Sequence, residues 1–169
     1  MTTANRTAPA KRTTEFTLPS DREVKAVRVF DAPRDLIWEA HTNPKHVSQW
    51  MLGPDGWTMP VCEIDLRPGG EWHWEWAKPG EESFGMRGVY REVVRPERLV
   101  NTESWGEDWP ESLNTTVFTE ENGRTTVTST VLWGSKEARD KALSTGMNEG
   151  WGKSYDRLDE YLPVLSGAK

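Results

Sequence analysis

The stretch from Cys62 to Trp76, CEIDLRPGGEWHWEW, alternates apolar and polar residues on both sides of a turn. Side chains along a β-strand point alternately to opposite faces, so this period of two predicts two strands of an antiparallel hairpin. The turn between them is Pro68-Gly69-Gly70. One face of the second strand carries three tryptophans: Trp72, Trp74 and Trp76. The other face carries Glu71, His73 and Glu75, which predicts that the indoles are buried and the charged side chains are solvated.

The same patterning predicts five further strands, over residues 24–30, 84–94, 99–105, 113–119 and 125–133. Two short helices follow the first of these strands, beginning at Pro33 and at Asn43-Pro44, because proline is tolerated in the first turn of a helix. After the last strand, Ser135 predicts the N-cap of one long helix that ends near Pro163. The helix has an apolar stripe at spacings of three and four: Leu143, Met147, Trp151, Tyr155, Leu158 and Leu162.

Seven antiparallel strands and one long helix predict an α+β fold. A single long helix must bury its apolar stripe, and a curved sheet must cover its concave face. The economical arrangement is a sheet wrapped around the helix, with a cavity between the two.

The composition excludes several classes of protein. With 21 basic and 27 acidic residues the formal net charge is −6, so neither a nucleic acid nor an anionic membrane is an expected partner. The single cysteine, Cys62, excludes an internal disulfide and a multi-cysteine zinc site, and its place in an apolar alternation predicts an inert thiol. No apolar run reaches the ~18–20 residues of a membrane span. Ten tryptophans in this polar chain indicate a folded domain with an aromatic interior.

The 169 residues are enough for about one domain. We expect a flexible N-terminal tail over residues 1–20, a single domain over residues 21–163 and a C-terminal tail over residues 164–169. The first 20 residues have no apolar segment of the kind found in secretory signals. With a reduced cysteine and an acidic composition, this favours the cytoplasm.

Several segments, in order, resemble the Hsp-90 ATPase activator homologue-like family of the START-like, or SRPBCC, superfamily. They lie at residues 28–33, 36–40, 42–44, 63–70, 88–90, 96–100, 102–105, 146–147, 150–151 and 161–162, together with Trp50 and Leu158. The ordered set is specific although each segment alone is weak. The resemblance covers residues 21–163 and implies a helix-grip fold: a seven-stranded sheet around the C-terminal helix, with an internal cavity.

The predicted cavity would be lined by apolar side chains of the sheet and the final helix. The candidate ligand-binding residues are Trp72, Trp74, Trp76, Phe84, Met86, Trp105, Met147 and Trp151. Flat π surfaces of this kind suit an aromatic or polycyclic ligand, although the same residues could simply fill the core. Candidates at the cavity mouth, near the two short helices, are His41, His46 and Trp50. We predict no catalytic residue, metal site or cofactor, since the three histidines do not form the i, i+4 pair of a helical zinc site.

Three functions remain open. The first is binding of an apolar small molecule, aromatic or lipid-like, without a cofactor. The second is a chaperone-directed interaction module acting in a stress response, which the family name implies and which would use the outer surface. The third is a cyclase- or hydratase-like enzyme, which would need an ionisable group inside the cavity. Both a monomer and a homodimer are compatible with the sequence.

Overall fold

The computed structural model describes residues 13–167. The strands are β1 (Glu15–Thr17), β2 (Glu23–Phe30), β3 (Thr58–Ile64), β4 (Glu71–Ala77), β5 (Phe84–Val94), β6 (Arg98–Glu103), β7 (Ser112–Glu121) and β8 (Arg124–Trp133). The helices are α1 (Arg34–Thr42), α2 (Pro44–Trp50), α3 (Lys136–Leu143) and α4 (Met147–Leu165). The strands form one antiparallel sheet in the order β1-β2-β8-β7-β6-β5-β4-β3.

The sheet packs one face against α1 and α4. Tyr155 and Leu158 of α4 are buried in the same cluster as Trp38 of α1 and sheet residues such as Phe118 and Val127. This arrangement confirms the predicted α+β helix-grip fold, in which the sheet covers the C-terminal helix. We call the face of the sheet that is directed at α4 its concave face.

Local sequence signals explain several element boundaries. The Asn43 side chain accepts a hydrogen bond from the Lys45 amide at the start of α2, and the Ser135 hydroxyl accepts one from the Ala138 amide at the start of α3. Asn122 and Gly123 connect β7 to β8 with φ angles of 54° and 78°, the geometry of a tight hairpin turn.

The sheet has eight strands rather than the seven expected. The additional strand, β1, pairs antiparallel with β2 at the edge of the sheet. It falls within the segment assigned to a flexible N-terminal tail, so that assignment is wrong for Glu15–Thr17. A strand of three residues has too few positions to show a period, and only pairing with β2 defines it.

The single long helix expected after Ser135 is two helices. α3 ends at Leu143, and α4 begins after Gly146, whose φ of +81° cannot belong to a right-handed helix. Pro163 does not end α4 either, because the helix continues to Leu165. The apolar stripe is thus divided between two elements, and only its part from Met147 onward lies on α4.

A buried ion-pair cluster fastens α4 to β2. Arg28 is 1% exposed, and its guanidinium nitrogens lie 2.8 Å from Asp156 and 2.6 Å from Asp159. Charge-assisted hydrogen bonds of this length are strong, and these two connect β2 to α4. Within residues 13–167, no helix is long and apolar enough to cross a lipid bilayer.

Candidate functional site

A cavity of about 560 Å³ lies between the concave face of the sheet and the N-terminal half of α4. The strands β4 to β8 contribute its walls on one side, and Met147 to Tyr155 of α4 contribute the other. The loop from Met51 to Trp57, which connects α2 to β3, closes one end. The sheet and the helix thus leave a partly open space between them rather than packing into continuous contact.

The three tryptophans of β4 form the aromatic wall of this cavity. The register of β4 with β5 pairs Trp72 with Gly88, Trp74 with Met86 and Trp76 with Phe84. The Trp72 and Trp74 ring centroids are 4.5 Å apart, and Trp76 stacks on Phe84 at 5.1 Å. These contacts hold the rings in a rigid row.

All eight residues predicted to line the cavity do lie on its surface. They are Trp72, Trp74, Trp76, Phe84, Met86, Trp105, Met147 and Trp151. Two further tryptophans, Trp57 and Trp109, also line it and were not predicted. Both lie in loops, where no period assigns a side chain to a face.

Of the three residues predicted at the cavity mouth, only His41 lines the cavity. His46 lies outside it and makes a 2.9 Å hydrogen bond between its Nδ1 and the Tyr161 hydroxyl. Trp50 is fully buried in the core, where its indole N–H donates to the Ala40 carbonyl at 2.8 Å. The short helix α2 therefore turns its aromatic residue toward α1 and not toward the cavity.

Polar side chains of β6, β7 and β8 line part of the concave face. The Asn114 side-chain amide donates to Glu103 Oε2 at 3.2 Å, and the Ser129 hydroxyl donates to Asn114 Oδ1 at 2.8 Å. Thr116 lies 3.3 Å from the Ser129 hydroxyl. All four residues are on the cavity wall, so the cavity is apolar on the β4 side and polar on the β6–β8 side.

Burial shifts the pKa values of Glu103 and His41 in the cavity wall. It raises the pKa of Glu103 to about 7, and the hydrogen bond from Asn114 opposes this only in part. It lowers the pKa of His41 to about 4, although the hydrogen bond to the Ile37 carbonyl acts in the opposite direction. Because a carbonyl only accepts, His41 Nδ1 carries the proton, and Nε2 has no hydrogen-bond partner among the described residues.

The opposite face of β4 is a charged surface. His73 lies 3.0 Å from Glu75 and 3.7 Å from Glu63, all on the side away from the cavity. Among residues 13–167, no group of three His, Cys, Asp or Glu side chains could hold a metal ion. Burial raises the pKa of the Cys62 thiol to about 11, so the thiol stays protonated at neutral pH.

Comparison with known proteins places this architecture in a family. The sequence matches the family described as Activator of Hsp90 ATPase homolog 1-like protein over residues 31–163. The chain belongs to this family. Its fold is shared with a protein from Rhodobacter sphaeroides that is 26% identical, with a TM-score of 0.82, covering 90% of this chain and 99% of that one.

Other solved structures are also similar to this chain. A Mycobacterium smegmatis protein is 25% identical, with a TM-score of 0.80, and the match covers 89% of this chain and 96% of that one. CalU16 from Micromonospora echinospora, 21% identical, shares the fold at a TM-score of 0.61 over 92% of this chain and 90% of its own. No curated protein matches the chain. The Activator of Hsp90 ATPase homolog 1-like fold fits a ligand-binding or a chaperone-related module.

The acidic residue of the cavity wall that sequence reasoning missed is Glu103. The signal was present, because Leu99, Asn101, Glu103 and Trp105 share one phase of the strand alternation, and Trp105 was predicted to face inward. A carboxyl group is nevertheless unexpected on that face, because charged residues are rarely buried without a partner. In this member of the Activator of Hsp90 ATPase homolog 1-like family, the phase of the strand was the better guide.

Proposed function

We propose that this protein binds an apolar small molecule, aromatic or lipid-like, in the cavity between the sheet and α4, without a cofactor. The observation that carries this proposal is the cavity of about 560 Å³ whose walls include seven of the ten tryptophans. Ligand sites in proteins typically have volumes of roughly 300–1,000 Å³, with apolar and aromatic walls and a few polar groups. The β4 wall and the polar side chains of β6–β8 have this composition.

The shape of the walls supports a ligand with flat surfaces. Trp72 and Trp74 are in contact at 4.5 Å with an interplanar angle of 51°, so their ring faces are fixed before any ligand arrives. Removing roughly 300 Å² of apolar ligand surface from water contributes about 7 kcal/mol before the entropic costs of association. A rigid wall keeps those costs low, because few side chains must be ordered on binding.

The ten indole N–H groups allow a direct test. A ¹H–¹⁵N spectrum titrated with a panel of apolar aromatic and lipid-like compounds should shift signals from the lining tryptophans together and to saturation. The signals of Trp38, Trp50 and Trp133 serve as internal controls, since these three tryptophans do not line the cavity. Signals that all stay in place would contradict the proposal.

The Trp74→Ala variant tests the aromatic wall. Trp74 is only partly buried and lies between Trp72 and Trp76, so its removal should weaken binding by about tenfold or more while the protein still folds. His73→Ala is the matched control, because His73 lies on the same strand and faces away from the cavity. Equal affinities of the wild type and the Trp74→Ala variant would remove Trp74 from the binding site.

A second candidate function is a chaperone-directed interaction module. The observation that favours it is the match of residues 31–163 to a family named for activation of Hsp90 ATPase. Such a function would use the outer surface of the protein and would not require a ligand in the cavity. The two functions therefore make opposite predictions about which substitutions matter.

A further inference from the structure

Among the described residues, the wall of the cavity contains one carboxyl group and no side chain that is positively charged at neutral pH. Among the described residues that line it, the ionisable side chains are His41, Tyr90, Glu103 and Tyr155, with no lysine or arginine. Glu103 is thus a partly buried carboxyl group with no lysine or arginine beside it among the described residues of the cavity wall. Removing a carboxylate from water is costly unless it is paired.

The other buried charge on this side of the sheet is already neutralised. The Arg28 guanidinium is bound by Asp156 and Asp159 of α4, at 2.8 Å and 2.6 Å. Arg28 does not line the cavity, so it is not the partner of Glu103. The chain therefore supplies counter-ions for the buried Arg28, whereas no lysine or arginine of the described cavity wall pairs with Glu103.

Only one of the two Glu103 oxygens is occupied. Oε2 accepts the hydrogen bond from the Asn114 amide at 3.2 Å, and Asn114 is in turn held by the Ser129 hydroxyl at 2.8 Å. Oε1 accepts no hydrogen bond from any residue in the described part of the chain. The network fixes the orientation of the carboxyl group and leaves one oxygen for a donor from a ligand.

The aromatic walls around the carboxyl group favour a positive charge. Trp105, two residues after Glu103, lines the cavity together with Trp72 and Trp74. The faces of indole rings carry a negative electrostatic potential and attract ammonium groups within about 6 Å. A carboxyl group and seven indoles thus line the same cavity, and both groups can attract a cation.

We propose that the ligand of this cavity is an organic cation, an aromatic or aliphatic body that carries a protonated amine, with the ammonium group bound by Glu103 and the apolar body against the tryptophans. This inference rests on the proposed function, because it names the chemical class of the ligand for the same cavity. A neutral ligand would instead meet Glu103 in its protonated form.

The pKa values of residues in the cavity wall predict that binding of the cation depends on pH. In the empty cavity the pKa of Glu103 is about 7, so the carboxyl group is partly protonated at neutral pH. The groups that face it from other elements do not change charge there, because burial lowers the pKa of His41 to about 4 and raises that of Tyr155 to about 12. Burial also raises the pKa of Tyr90, while Arg28 stays paired with its two aspartates.

The test uses three matched compounds: 2-(1-naphthyl)ethylamine, the neutral 2-(1-naphthyl)ethanol and the anionic 1-naphthylacetate. Calorimetric titration of the full chain should show the amine binding about tenfold more tightly than the alcohol, since a hydrogen bond to a charged group is stronger than a neutral one. The affinity for the amine should rise by about tenfold from about pH 6 to about pH 8, as Glu103 loses its proton. The anion should bind more weakly than both.

The Glu103→Gln variant separates charge from packing. Glutamine keeps an oxygen for the Asn114 amide and has nearly the same volume, so it should remove the preference for the amine and its pH dependence while the alcohol still binds. A ¹³C carboxyl NMR titration adds a second readout, in which the amine should lower the pKa of Glu103 and the alcohol should not.

Each outcome decides between the proposals. If the alcohol binds as tightly as the amine, or if Glu103→Gln leaves the ratio of their affinities unchanged, the organic-cation inference is wrong and the proposed apolar site stands. If none of the three compounds binds to the folded protein, both proposals fail.

Discussion

At the scale of single residues, the carboxyl group of Glu103 connects the cavity to the stability of the protein. An ordinary glutamate has a pKa of about 4.3, and in the folded protein burial raises the pKa of Glu103 to about 7. The folded state therefore binds this proton more tightly than the unfolded state. Its contribution to stability is fully present below about pH 4.3 and is lost as the pH rises through about 7. We expect Glu103→Gln to gain stability relative to the wild type as the pH rises over this interval, on the order of 3–4 kcal/mol.

The measurement is the free energy of unfolding in urea for both proteins across that pH range. The comparison is needed because His41 acts with the opposite sign: burial lowers its pKa to about 4, so its contribution to stability increases as the pH rises from about 4 to about 6.5. The contributions of Glu103 and His41 to stability partly cancel in the wild type. The difference in the free energy of unfolding between the two proteins therefore isolates the contribution of Glu103. If the difference in the free energy of unfolding between the two proteins does not change with pH, burial does not raise the pKa of Glu103.

At the scale of elements, Gly146 separates α3 from α4. Its φ of +81° is a conformation that residues with a Cβ rarely adopt, and a Cβ there would meet only Glu149 Oε2, at 3.9 Å. The space around Gly146 is therefore open, and Gly146→Ala should lower the free energy of unfolding by about 1 kcal/mol through backbone strain alone. Gly134→Ala is the matched control, because Gly134 is equally open and has no positive φ. Thermal unfolding of the two variants checks this, and equal stabilities would contradict it.

The same break shows what the sequence could predict and what it could not. The inward face of β4 was predictable, because three tryptophans alternate with three polar residues over six positions. The division of the last helix was not, because the apolar stripe keeps its period across Gly146. Gly150 and Gly152 lie inside α4, so a glycine alone does not mark the end of a helix here. Strand β1 exists only through its pairing with β2, which no local pattern records. The position of Glu103 in the cavity wall was not predicted, because charged residues are usually exposed.

At the scale of the whole molecule, the cavity suits ligand binding, whereas a chaperone-directed interaction would use the outer surface. The exposed large hydrophobic residues within the described chain are distributed over three regions: Leu18 before β2, Phe84, Val89 and Val94 on β5, and Val164 near the end of α4. Protein-binding sites are usually continuous apolar patches with a polar rim. The aromatic residues of this protein are instead concentrated around the internal cavity.

This distribution predicts the outcome of a chaperone assay. Because the proposed binding surface is internal, we expect the purified protein to leave the ATPase rate of Hsp90 from the same cell unchanged. The assay measures that rate at increasing concentrations of the wild type and of Trp74→Ala, which alters only the cavity wall. A saturable increase that is equal for both proteins would show that the outer surface acts on the chaperone, and ligand binding would then be at most a separate activity. An increase given by the wild type and lost in Trp74→Ala would instead make the cavity part of the chaperone contact, because the two proteins have the same outer surface.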